Sequence, residues 1–211
     1  VGVTHKEELP VDFEIKYMRV WQKPSDNVLA KDKAFYGFEG PILFEETPRP
    51  LYLVPENSEN NDYQKFWRID DGSKQYLSIY EGQYNSGVES LKFSGYGKNE
   101  SLLINKAVIK SPEGALNLPV GDYKLSVKLW LDQGRIADAI HISLMNPKID
   151  LKFDGLKKKP RREWITVETN FSRTKPSADN DGLQIEIRRE DIPPTKAAKL
   201  FIDDIEIKKN I

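Results

Sequence analysis

Two adjacent carboxylates, Asp203 and Asp204, interrupt the apolar C-terminal run Leu200-Phe201-Ile202-Asp203-Asp204-Ile205-Glu206-Ile207. Strand alternation would put Phe201, Asp203, Ile205 and Ile207 on one face and Leu200, Ile202, Asp204 and Glu206 on the other. The first set is the more apolar, so Asp203 is expected on a core-facing position. An ionised carboxylate there needs compensation. A hard cation, a set of backbone N–H donors, or a buried ion pair would each supply it.

Other reactive constellations are absent from the 211 residues. With no Cys and only His5 and His141, neither thiolate chemistry nor a zinc site is expected. There is no G-x-S-x-G elbow and no Gly-rich phosphate loop. A retaining glycosidase would need two carboxyl groups about 5 Å apart. No compact acid-x-acid-x-x-acid strand presents itself, since Glu186 runs into Arg188 and Arg189, and the Asp203-Asp204-Glu206 group has a structural explanation. The chain is expected not to be an enzyme.

The elements that must position these residues read as strands. Short alternating runs are separated by Gly, Pro, Asn and Asp clusters, which is the pattern of an all-β, two-sheet antiparallel sandwich or jelly roll. The clearest is Tyr123–Leu131, opened by the turn Pro119-Val120-Gly121-Asp122, with Tyr, Leu, Val, Leu, Leu on one face and Lys124, Ser126, Lys128, Trp130 on the other. Further strands are expected at Val11–Trp21, Gln75–Tyr80, Val88–Ser94, Leu102–Lys110, Ala139–Met145, Trp164–Phe171, Leu183–Arg188 and Lys199–Ile207. Residues 45–50, 155–162 and 172–182 read as loops. The second of these carries five cations in positions 157–162; it reads as a solvated turn, with an anionic polymer as the alternative occupant. Residues 1–34 form an N-terminal extension or an added edge strand, and 35–211 the sandwich. A net charge of −1 argues against general nucleic-acid binding, and no apolar run reaches the roughly 20 residues of a membrane helix.

Four segments, in order, resemble the jelly-roll, galactose-binding-like carbohydrate-binding modules of the kind appended to xylanases and β-glucanases. They are Gly37-Phe38-Glu39-Gly40, the stretch Tyr84–Phe93, Gly121–Val127, and Glu163–Val167 followed by Phe201–Ile205. The resemblance implies binding of polysaccharide or oligosaccharide without catalysis. It also implies a structural calcium tying Glu39 to Asp203, with Asp204 as the lesser candidate ligand, and an exported bacterial protein acting as a secreted, periplasmic or cell-surface module.

Sugar recognition of that kind needs flat apolar rings beside planar polar groups. Trp130, on the polar face of its strand, meets the first need. His141, Gln184, Glu186 and Arg188 are the polar partners that alternation offers, and they would share one surface with Trp130 if their strands are neighbours. Tyr76, Tyr80 and Tyr84 are the further aromatic candidates, with Tyr76 and Tyr80 on one strand face, while Trp67, Tyr123 and Trp164 are assigned to the core. An adhesion or assembly domain that uses the same face for protein contact is the alternative function, followed by a lyase or hydrolase.

Overall fold

In a computed structural model, the structure describes residues 33–38, 43–44, 67–94, 106–111, 114, 116–133, 139–188 and 199–210. These form twelve strands and two 3-10 turns, arranged as two six-stranded sheets. The first sheet has the order β10 (Trp164–Arg173), β7 (Gly121–Leu131), β12 (Lys199–Lys209), β5 (Ser90–Ser94), β4 (Leu77–Tyr80), with β1 (Lys33–Tyr36) also paired to β12. The second has the order β2 (Leu43–Phe44), β3 (Arg68–Ile69), β6 (Lys106–Lys110), β11 (Leu183–Arg188), β8 (Ala139–Met145), β9 (Lys148–Phe153). Pairing is antiparallel throughout except for the short parallel contact of β2 with β3. The expected strand Val11–Trp21 lies outside the described residues.

The core between the sheets follows from alternation. Tyr123, Leu125, Val127, Leu129 and Leu131 of β7 are all 0% exposed, and they meet Ile140, Ile142 and Leu144 of β8 and Leu183, Ile185 and Ile187 of β11 in one cluster. Each such side chain contributes about 1.5–3 kcal/mol through the apolar surface it takes out of water. The side chains between them, Lys124, Ser126, Lys128 and Trp130, point to the outer face of the first sheet.

Strand β12 breaks the rule, and the break corrects the expected place of Asp203. Leu200, Phe201, Ile202 and Asp203 pair with Leu131, Trp130, Leu129 and Lys128, but the register shifts before Glu206 pairs with Ser126. One extra residue on β12 forms a bulge, with Asp204 at φ 42°. That left-handed conformation is one that Asp tolerates better than most side chains. The bulge resets parity: Leu200 and Ile202 face the core before it, Ile205 and Ile207 after it. Phe201 and Asp203 therefore lie on the outer face, not the core face.

A second buried charge went unforeseen. Arg173, at the end of β10, is 1% exposed and places its Nη2 2.9 Å from Asp181 Oδ2, with Asp181 itself 0% exposed. Asp181 also accepts from the Asn146 N–H at 2.8 Å, the Gly182 N–H at 2.9 Å and the Ser177 hydroxyl at 2.7 Å. A buried ion pair is tolerable only with its remaining acceptor sites filled, which these donors achieve for the carboxylate. The pair stitches the β10–β11 loop to the β8–β9 turn.

Candidate functional site

Residues opposite one another on paired strands share a face, so the registers assemble a row across the first sheet. From β4 to β10 it reads Ser78, Lys92, Phe201, Trp130, Trp164. Beside it Asp203 stands opposite Lys128 and Lys128 opposite Thr166, with Tyr80 opposite Ser90 at the β4–β5 edge. Both sets point away from the core. Trp130 and Trp164 are half-buried, with ring centroids 6.1 Å apart in an edge-to-face arrangement. Tyr80, 37% exposed, lies 5.5 Å from Phe201, and Lys92 Nζ sits 4.5 Å from its ring centroid. Trp164 is thus not a core residue. Its strand alternates Trp164, Thr166, Glu168, Asn170 against Ile165, Val167, Phe171, and the polar phase places the indole outside.

The Tyr80 end of the face is bounded by the β4–β5 loop, which Asp203 anchors. Asp203 Oδ2 accepts the N–H groups of Asn85 at 2.8 Å and Ser86 at 3.2 Å, and Oδ1 accepts the N–H of Asp204 at 2.8 Å. Asp204 in turn accepts from the Asn85 amide and the Ser86 hydroxyl. Burial pushes the Asp203 carboxyl up to about 6, and the negative charge of Asp204 adds to this, while the three N–H donors pull it back. Of the three compensations open to Asp203, backbone donors are the one in place. The neighbouring Asp204 carboxylate lies at the same loop and accepts two side-chain donors. Glu39, the distant ligand implied by the resemblance, lies outside the described residues.

The second sheet carries the other candidates, and they do not join Trp130. His141 on β8 and Gln184, Glu186 and Arg188 on β11 occupy neighbouring strands of that sheet, with Glu186 directly opposite His141 and Gln184 opposite Ser143. Their strands neighbour one another but not β7, so their surface is the opposite side of the sandwich. There the charges pair: Glu186 with Arg188 and, at 3.9 Å, with Lys106; Asp150 with Lys148 at 3.4 Å and with the Ser143 hydroxyl at 2.6 Å. Burial and the Arg188 charge hold His141 below the usual histidine range, with Lys152 lowering it further against the pull of Glu186 and Asp150.

The tyrosines also divide. Tyr76 precedes β4 and is buried in the core cluster, so it does not share a face with Tyr80. Tyr80 lies on the aromatic row's side of the sandwich. Tyr84, 43% exposed, sits in the loop that Asp203 anchors.

No family model matches this chain, and no curated protein matches it. Among solved structures, it is similar to a family 16 carbohydrate-binding module, with 12% identity and a TM-score of 0.41 over 64% of this chain and 86% of that one. It is also similar to a family 61 module solved in complex with β-1,4-galactotriose, at 14% identity and TM-score 0.44 over 68% and 88% of the two chains. A third is the family 22 xylan-binding domain of a Paenibacillus barcinonensis protein, at 11% identity and TM-score 0.41 over 68% and 85%. All three of these solved structures are carbohydrate-binding modules.

Proposed function

We propose that this chain binds polysaccharide without catalysis, stacking sugar rings on the outer face of the first sheet. The observation that carries the reading is the half-buried Trp130–Trp164 pair, set in a row that points away from the core and flanked by Tyr80, Ser78, Lys92, Lys128 and Thr166. Indole faces suit the C–H side of a pyranose ring, and ammonium and hydroxyl groups suit its oxygens. The carboxylate nearest the row, Asp203, is committed to three backbone N–H groups, which leaves it a structural part of the face. An extracellular polymer as ligand implies an exported protein.

Affinity electrophoresis through gels containing soluble polysaccharides tests this. Wild type is expected to be retarded by at least one polymer, and Trp130→Ala to lose about tenfold or more in affinity while keeping its fold, about the contribution of one well-placed aromatic contact. Retardation of the variant equal to that of wild type would move the site elsewhere. No retardation of wild type by any polymer would favour a protein-contact role for the same face.

A further inference from the structure

The aromatic row is accompanied by cations that the protein leaves without acidic partners. Lys92 stands beside Phe201 in the row. Lys199 is next to Phe201's neighbour Leu200 on the outward phase, directly opposite Ser94 of β5. The two ammonium groups are close enough that Lys199, after burial, lowers the Lys92 pKa. Lys128 lies one row away and donates to the Thr166 hydroxyl at 2.8 Å. Among the described residues, none of these three lysines forms an ion pair.

The second sheet's outer face is the internal contrast, because its lysines and arginine do find carboxylates: Lys106 and Arg188 on Glu186, Lys148 on Asp150, Lys110 on Asp70. On the first sheet itself Lys124 finds Glu168 at 3.3 Å and Lys208 finds Glu206 at 2.7 Å, whereas the lysines beside the aromatics, Lys92, Lys128 and Lys199, find no carboxylate among the described residues.

The basic loop at 157–162 reaches the same place. The Arg162 N–H donates to the Leu131 carbonyl at 2.8 Å, immediately after Trp130, and the chain enters β10 at Trp164 two residues later. Lys158 and Lys159 of that loop are exposed, and Arg161 is half-buried with its Nη2 3.4 Å from the Leu156 carbonyl. Arg162 has one acid within reach, Asp132 at 3.6 Å. Cations therefore border the aromatic row both at the Lys92–Lys199 side and at the Trp130 end.

We propose that the ligand of this face is an anionic polysaccharide, whose rings stack on Trp130 and Trp164 while its carboxylate or sulfate groups meet Lys92, Lys199 and the basic loop. The proposal rests on the carbohydrate-binding reading above and names the ligand class. Ammonium and guanidinium groups bind such anions through charge-assisted hydrogen bonds, and the attraction is screened by salt. A neutral glycan would leave the lysine cluster unmatched.

The test is affinity electrophoresis of the whole chain in gels containing polygalacturonate, chondroitin sulfate, neutral xylan or neutral β-glucan, each at low and raised NaCl, with polyglutamate as a polyanion that has no rings to stack. Retention is expected on polygalacturonate, chondroitin sulfate or both, which separates a carboxylate from a sulfate ligand. It should weaken with NaCl, and fall about tenfold in the double variant Lys92→Gln/Lys199→Gln, roughly the loss of one charge-assisted hydrogen bond. Circular dichroism and melting of that variant confirm that it is folded. Retention on xylan or β-glucan alone, indifferent to salt and to the double variant, overturns the anionic ligand and keeps carbohydrate binding. Polyglutamate retention equal to that on the acidic glycans overturns it in favour of a general polyanion surface. Retention on no polysaccharide removes the carbohydrate reading and this proposal together.

Discussion

The outer faces of the two sheets obey the same alternation and reach opposite ends. On the second sheet, Glu186 is shared by Arg188 and Lys106, Ser143 is bonded to Asp150, and the charges close among themselves. On the first, three lysines stand among Tyr80, Phe201, Trp130 and Trp164 with no carboxylate paired to them among the described residues. Of the acids on that face, Glu168 and Glu206 pair with Lys124 and Lys208, away from the aromatic row, and Asp203 is buried under the loop it holds. A face whose charges are internally satisfied gains nothing from a charged ligand. A face with aromatic surface and unpaired cations does. This difference is the reason for proposing the face of β12, β7 and β10 as the site, and it predicts where substitutions cost stability and where they cost binding.

The largest expected effect is at Asp203, buried under the β4–β5 loop. Asp203→Ala leaves the N–H groups of Asn85, Ser86 and Asp204 without their acceptor, which should destabilise the fold by about 2–4 kcal/mol, allowing that the loop can open to water. Chemical denaturation measures it. A cost below about 1 kcal/mol would mean that the loop is held by other contacts. Because N–H donors already fill the acceptor sites facing the loop, a chelator is expected to leave the melting temperature of wild type unchanged; a clear drop would show a cation at work.

The next effect belongs to the second sheet and should be smaller. Glu186→Gln removes the carboxylate from Arg188 and Lys106, whose side chains are 53% and 63% exposed and can turn to water. The expected cost is about 1–2 kcal/mol, because the two cations are accessible while Glu186 itself is buried. Polysaccharide retention should not change. If Glu186→Gln abolished retention while Trp130→Ala did not, the assignment of roles to the two faces would be reversed.

How much of this was legible in the sequence depended on whether alternation ran unbroken. It did in β7, so the buried Leu125–Leu131 phase and the outward Trp130 follow directly from the residue pattern. It also did in β10, where the phase of Thr166, Glu168 and Asn170 marks Trp164 as outward once that strand is read from its polar side. In β12 it failed, because a bulge leaves no trace in an apolar run except the unusual pair of small acids that can adopt a positive φ. Which strands are neighbours was not legible either: His141 and Arg188 alternate as properly as Trp130 does, and only the strand order puts them on the other sheet. Arg173 and Asp181 lie in a stretch with the composition of a solvated loop, and their pairing is a long-range contact that no local pattern reports.

The smallest effects test the comparison by its sign. Asp203 has a folded-state pKa raised to about 6 from the 3.8 of a free carboxyl, chiefly by burial. The folded form then holds its proton more tightly than the unfolded chain, so its contribution to stability is complete below about pH 3.8 and is lost as pH rises through about 6. His141 is displaced downward, also chiefly by burial, so the unfolded chain takes up the proton first and stability is lost as pH falls below 6.5. The two faces therefore titrate in opposite directions over neighbouring pH ranges. Asp203→Asn should flatten the decline of stability between about pH 4 and 6, and His141→Gln should flatten the separate decline on acidification below about pH 6.5. Denaturation midpoints of both variants across pH 4–7, each taken as a difference from wild type, isolate the two contributions. Differences of the same sign in both would mean that one acid or imidazole sits in surroundings other than those that the registers of β12 and β8 assign to it.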